Sequence, residues 1–261
     1  MKEEIKRELS RLEKQHDIKI LYAVESGSRA WGFASTDSDW DVRYIYVHKL
    51  DWYLEIDSKR DNQEEILPND IDLAGWELKK ALRLFRKSNP PMLEWLRSPL
   101  VYLQQSSTAD KLRDLVEEYF SPRACLHHYL HMAERNFQAY LLKERVRVKK
   151  YFYVLRPLLA CDWIWHTNTM APMEFHRLVD SQVADASIKT LIQELLTRKM
   201  AGEELGEEPK NQLLNDFLEE KIIFYNQCIK SLGPVEQPDT TRLNKLFKET
   251  LYEAWGNDDS C

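Results

Sequence analysis

Glu25-Ser-Gly-Ser-Arg-Ala-Trp-Gly32, followed closely by Ser38-Asp-Trp-Asp-Val42, is the stretch on which the reading of this chain turns. Just before it, Ile18-Lys-Ile-Leu-Tyr-Ala-Val24 is an apolar run that predicts a strand, and Gly27-Ser28 predicts a turn opening a short helix. Just after it, Trp40-Asp-Val-Arg-Tyr-Ile-Tyr-Val47 is rich in β-branched and aromatic residues and predicts a second strand. Asp39 and Asp41 stand two residues apart, so an extended chain puts both carboxylates on one face.

Carboxylates that converge repel each other unless a cation sits between them, and hard oxygen donors favour Mg²⁺. The Gly27-Ser28 turn adds backbone N–H groups and a hydroxyl, donors suited to phosphate. A phosphate cradle beside a carboxylate pair suits phosphoryl or nucleotidyl transfer. The bland alternative is a solvated turn, because Asp37-Ser-Asp39 alone is ordinary loop sequence. Against it stands the apolar and aromatic run directly after Asp41.

Working outward, Ile5, Leu9 and Leu12 recur at helical spacing and predict a helix over residues 2–15. Residues 49–68 are polar and read as irregular, with 57–62 an exposed loop or hairpin. Ile71-Asp-Leu73 predicts a short third strand, 77–87 a helix ended by Asn89-Pro-Pro91, and 100–103 a last strand. Beyond residue 107 the strand signals stop. Amphipathic helices are expected over 108–119, 122–145, 149–167, 172–180, 186–202, 210–232 and 240–255, punctuated by Pro122, Pro172, Pro209 and Gly233-Pro234. The expected organisation is α+β: a catalytic domain over 1–106, then a helical bundle over 107–261. Residues 256–261 read as a frayed tail.

Composition narrows the function classes. At 261 residues the chain can hold two domains, and eight Trp with twelve Tyr can fill a sizeable core. A net charge of −6 argues against a broadly basic surface that coats nucleic acid, though not against a local basic groove. The four cysteines, 125, 161, 228 and 261, have no metal-ligand spacing and read as reduced thiols. The charged amphipathic start is unlike a signal peptide, and no apolar run approaches bilayer length, so a cytoplasmic protein with no membrane partner is expected.

Gly27-Ser28, some ten residues, then Asp39-Trp-Asp41 resembles the signature of the DNA polymerase β-type nucleotidyltransferase superfamily. Gly27-Ser-Arg-Ala-Trp-Gly32 narrows the likeness to predicted bacterial nucleotidyltransferases of its RNA-repair-associated branch. Asp72-Leu-Ala-Gly-Trp-Glu-Leu-Lys-Lys-Ala81, Glu94-Trp-Leu-Arg-Ser-Pro99 and Lys150-Tyr-Phe-Tyr-Val-Leu-Arg-Pro157 also look like that branch, so the likeness runs to about residue 165. It implies an N-terminal polymerase β-like domain, a small mixed sheet flanked by helices, and a helical domain that closes the nucleotide cleft.

The resemblance implies Asp39 and Asp41 as ligands of Mg²⁺ (or Mn²⁺) holding a nucleoside triphosphate such as ATP. It also implies a third carboxylate that helps bind metal and takes the proton of the attacking hydroxyl. Asp72, directly before Gly75-Trp76, is the choice, with Asp70 as rival because it shares a face with Asp72 at strand spacing. Gly27, Ser28 and Arg29 are expected on the phosphates. Lys149, Tyr153 and Arg156 can share a helix face able to meet a triphosphate or an RNA backbone; the competing reading is a solvated basic face. Trp31 is expected to pack under its loop, Ser38 to be structural, and His127 and His131 to be ordinary helix-face histidines. The resemblance points to transfer of a nucleoside monophosphate to an acceptor hydroxyl, an RNA 3′ end being the suggested acceptor, and leaves room for a homodimer. Adenylylation of a partner protein or small molecule, and a non-catalytic nucleotide-binding regulator, are the alternatives.

Overall fold

In a computed structural model, residues 1–202, 206–233 and 237–256 are described. The tail expected over 256–261 therefore lies outside the described residues beyond Gly256, as do Pro234 and Cys261. The chain divides into two compact units, one of Met1–Ala30, Asp39–Tyr119 and the residues from Gln237 onward, the other of Trp31–Ser38 and Phe120–Glu236.

The first unit begins with α1 (Lys2–His16) and β1 (Ile18–Glu25). The four-residue α2 (Gly27–Ala30), β2 (Trp40–His48) and α3 (Leu50–Leu54) follow. Next come β3 (Asn62–Ile66), β4 (Ile71–Glu77), α4 (Leu78–Arg86), α5 (Pro90–Arg97), β5 (Val101–Gln104), α6 (Thr108–Asp114) and α7 (Val116–Tyr119). The sheet order is β3-β4-β2-β1-β5; β2 and β4 run parallel and the other neighbours antiparallel. Ile5, Leu9 and Leu12 of α1 pack on Ile18, Ile20, Val42, Tyr44, Ile71 and Leu73 of the sheet, each contributing about 1.5–3 kcal/mol by leaving water. β1 is buried along nearly its whole length, which is why it reads as a continuous apolar run rather than an alternation. Tyr44 lies opposite Gly75, and a Cβ there would stand 2.2 Å from the tyrosine ring, so the close approach requires glycine.

Three elements were not expected in this stretch. β3 carries Asn-Gln-Glu-Glu-Ile, too polar to signal a strand, and is an edge strand paired, among the described residues, with β4 alone. α3 lies in the segment read as irregular. The Pro pair after Asn89 ends one helix but also begins another: Asn89 caps α5 by accepting the Met92 N–H, with proline in its first turn.

The second unit consists of α8 (Pro122–Tyr140), β6 (Arg145–Arg147), a 3₁₀ turn (Val148–Tyr151), α9 (Phe152–Thr167), α10 (Phe175–Gln182), α11 (Ala186–Met200), β7 (Glu207–Pro209) and α12 (Gln212–Ser231). α9 is buried on nearly all sides and forms the centre of this helical unit. The β6–β7 ribbon is a small addition to this helical unit; three-residue strands some sixty residues apart leave no local signal.

The last helix, α13 (Thr241–Trp255), belongs to the first unit. Thr250 hydrogen-bonds Thr108 at 2.9 Å, Glu249 pairs with Lys111, Phe247 packs on the Tyr53 ring, and Trp255 Nε1 donates to the His48 carbonyl. By contacts α6, α7 and α13 group with the sheet, and residues 31–38 group with the helices. Among the described residues no helix is long and apolar enough to cross a membrane.

Candidate active site

The site is built where β1, β2 and β4 lie side by side. Parallel pairing sets Asp41 directly opposite Asp72. Both are partly exposed, and one guanidinium binds both: Arg43 Nη2 donates to Asp41 Oδ1 at 3.0 Å and to Asp72 Oδ2 at 2.8 Å. Nη1 of Arg43 donates to the Asp72 carbonyl at 2.9 Å. Asp39, exposed just before β2, precedes Asp41 by one strand repeat. Burial raises the Asp41 carboxyl pKa; Arg43 opposes this, while the charges of Asp72 and Asp39 raise it further. Asp41 thus feels the charge of both other acids.

Asp70 sits differently. It precedes β4 in a left-handed turn with φ of 60°, its side chain is exposed, and its carbonyl accepts the Trp40 N–H at 2.8 Å. The turn takes Asp70 out of the strand alternation that the sequence suggested it shared with Asp72.

Gly27 adopts φ of 63°, and a Cβ on it would stand 2.1 Å from Asp41 Oδ2. The turn backbone therefore lies directly against the carboxylate, a juxtaposition only glycine permits. Ser26 N–H donates to the Asp41 carbonyl at 2.8 Å and fixes that approach. Ser28 and Arg29 follow on α2. Arg29 Nε donates to the Asp39 carbonyl at 3.1 Å, and its guanidinium lies 3.7 Å from the Trp40 ring centre.

Behind the acids stands a residue the sequence reading did not single out. Glu25, the last residue of β1, is fully buried; its Oε1 accepts the Asp41 N–H at 2.9 Å, and Tyr102 of β5 donates to its Oε2. The Ser98 hydroxyl donates to the Glu25 carbonyl at 2.6 Å. Burial pushes the Glu25 carboxyl up to about 7, against the hydrogen bonds from Tyr102 and Asp41. Arg43 was also missed. Its signal was present, since residues 39, 41 and 43 share one face by alternation; Glu25 depends on a partner from β5 and had none.

The remaining expected residues lie in the second unit. Lys149 and Tyr153 are exposed on the 3₁₀ turn and the start of α9. Arg156 does not share their exposed face: it is 3% exposed, its guanidinium 4.5 Å from the centre of the Trp31 ring and Nη2 3.8 Å from Met173 Sδ. Tyr153 and Arg156 lie three residues apart on the same helix, but α9 is buried from Val154 through Asp162, which takes Arg156 inside. Trp31 packs on Phe33, which stacks on Phe152, and the Trp31 carbonyl accepts the Phe175 N–H at 2.9 Å. Ser38 closes the 31–38 loop by hydrogen bonds with Ser35. His127 and His131 are exposed one turn apart on α8.

The oxygen donors of Asp39, Asp41 and Asp72 have the chemistry a hard divalent cation takes. Gly27 leaves Asp41 Oδ2 bordered by backbone rather than by a side chain. As they stand, a guanidinium lies between two of the acids, and among the described residues no group of three or more His, Cys, Asp or Glu is gathered to hold an ion.

Residues 1–249 match the RNA repair pathway DNA polymerase beta family (RlaP), and the chain belongs to that family. The match continues well beyond residue 165, where the recognisable segments ended. The chain is 48% identical over 255 residues to an uncharacterized protein, YcgL, of Bacillus subtilis (strain 168), covering 98% of each. A nucleotidyltransferase-like protein from Exiguobacterium sibiricum 255-15 is 11% identical with a TM-score of 0.33, over 93% of this chain and 78% of that one, a likeness too distant to carry an argument.

Proposed function

We propose that this protein is a Mg²⁺- or Mn²⁺-dependent nucleotidyltransferase that moves a nucleoside monophosphate from a nucleoside triphosphate to an acceptor hydroxyl. The observation that carries the reading is the pairing of Asp41 with Asp72 across parallel strands, with Asp39 one strand repeat away. Family membership supports the reaction class. The three acids would hold the divalent ion, which supplies charge stabilisation at the transferring phosphoryl group.

The chain's own groups do the rest. The Gly27 amide and Ser28 hydroxyl hold the β- and γ-phosphates, and Arg29, always charged, forks onto a phosphate oxygen. Asp72 takes the proton of the attacking hydroxyl. The new bond forms between acceptor oxygen and α-phosphorus, the α–β bridge breaks, and pyrophosphate leaves. The acceptor in this reading is an RNA 3′ end; what supports RNA is that the family's description names an RNA repair pathway.

The test is to incubate pure protein with each triphosphate labelled at its α-phosphate, Mg²⁺ or Mn²⁺, short RNAs and cell extract, with Asp41→Asn alongside. Label on RNA, absent with the variant, is the expected result. Label on a protein band instead makes the acceptor a partner protein. Tight triphosphate binding with no label anywhere overturns the catalytic reading.

A further inference from the structure

We infer that the second unit carries a binding strip for single-stranded nucleic acid, formed by β6, the 3₁₀ turn after it and the tyrosines on either side. This deepens the nucleotidyltransferase reading, on which its role as an acceptor site rests. Lys143-Glu-Arg-Val-Arg-Val-Lys-Lys150 gathers five cations and one carboxylate in eight residues of an otherwise acidic chain. The folding of that segment decides which of them face water. Val146 and Val148 are 1% and 2% exposed, while Arg145, Arg147 and Lys149 between and around them are exposed. Burial of the valines thus converts a charged run into a fixed row of cations.

The row is held by backbone. β6 pairs with β7, the Val148 N–H donates to the Gly206 carbonyl, and the Lys210 N–H donates to the Glu144 carbonyl. Beside it Lys150 Nζ lies 4.2 Å from the Tyr140 ring centre and 4.7 Å from that of Tyr153. Both rings keep much of their surface in water, at 39% and 45% exposure.

The nearby acids do not cancel the row. Glu208 is bound by Arg198 and Glu144 pairs with Lys210. Arg147 meets Glu207 only at 3.9 Å with both side chains mostly exposed, a pair a phosphate can displace. Asp37, within electrostatic reach of Lys149, also faces Lys199.

A row of cations alone would suit any polyanion. Two tyrosine rings that meet at Lys150, each with much of its surface in water, add stacking surfaces beside the row, and the ligand that offers both a regular negative backbone and free flat rings is a single strand with its bases unpaired. A duplex hides its base faces and an acidic peptide has none.

The test is fluorescence anisotropy without triphosphate, using labelled single-stranded RNA and DNA of about 12 nucleotides, within the usual range of such sites, and the matching duplex. Wild type should bind single strands better than duplex and weaken as salt rises. R145E/R147E should lose at least about tenfold in affinity, more at low salt. Tyr140→Ala should lose about five- to a hundredfold, the stacking of one base. A preference for RNA over DNA, or none, identifies the source of the strand within the same chemistry. Should R145E/R147E melt early, R145Q/R147Q replaces it. No single-strand binding by wild type, or undiminished binding by both the arginine and the tyrosine variants, overturns the strip. Asp41→Asn, inactive in transfer but expected to bind oligonucleotide normally, separates failure of the strip from failure of the catalytic reading.

Discussion

Asp41 and Asp72 face each other as register partners on parallel strands, and Arg43 binds both carboxylates, at 3.0 and 2.8 Å. A cationic side chain thus stands between two acids that would otherwise repel. Glu25 braces the Asp41 backbone from behind, and Gly27 leaves its outer oxygen against bare main chain.

Arg43 is expected to do the work of a counter-ion when no metal is bound. Arg43→Ala should lower metal-free stability by about 1–2 kcal/mol, between the values for exposed and buried pairs. Added Mg²⁺ should then raise the melting temperature of the variant more than that of wild type, because the unclamped acids repel. Equal shifts in the two proteins would remove Arg43 from this role.

Gly27→Ala places a methyl where Asp41 Oδ2 now lies, on a backbone that alanine adopts only with strain. The carboxylate must swing away. Transfer should fall by at least about tenfold, since a displacement of an ångström can cost a hundredfold, and stability should drop by about 1 kcal/mol or more. An active, stable Gly27→Ala protein would contradict the close approach.

His48 supplies a pH dependence remote from the acids. It stacks on Trp52 with centroids 4.1 Å apart, and burial, aided by Lys59, pushes its pKa down to about 4 from the usual 6.5. Between those values the unfolded chain takes up a proton that the folded chain refuses, so this residue makes stability fall as pH drops from about 6.5 to about 4. Its neighbours Asp17 and His16 modify the shift in opposite directions. His48→Phe keeps a stacked ring and cannot titrate, so melts at about pH 4.5 and 7.5 should differ less in the variant than in wild type. An unchanged difference would assign the acid sensitivity elsewhere.

Much of this was legible locally. The apolar periodicity of α1, the buried run of β1, and the alternation that sets Asp39, Asp41 and Arg43 on one face are properties of adjacent residues. What escaped depended on distant partners. β3 exists because β4 offers it an edge; β6 and β7 are three residues each and meet across some sixty others. Helix α13 gave a clear helical signal, but nothing in it announced that it packs with the sheet's unit through Thr108 and Tyr53. Arg156 looked like a surface cation because its spacing matched Tyr153, but α9 is the buried centre of its unit and takes Arg156 inside.

The central claim is that Asp41 and Asp72 act together while Asp70, two residues from Asp72, does not. It is tested most directly by comparing α-phosphate transfer by Asp41→Asn, Asp72→Asn and Asp70→Asn, each checked for an intact fold. Asp41→Asn and Asp72→Asn should lose more than about a hundredfold, beyond what residues supporting a metal ligand usually cost, while Asp70→Asn stays near wild type. A dead Asp70→Asn beside an active Asp72→Asn would contradict the account.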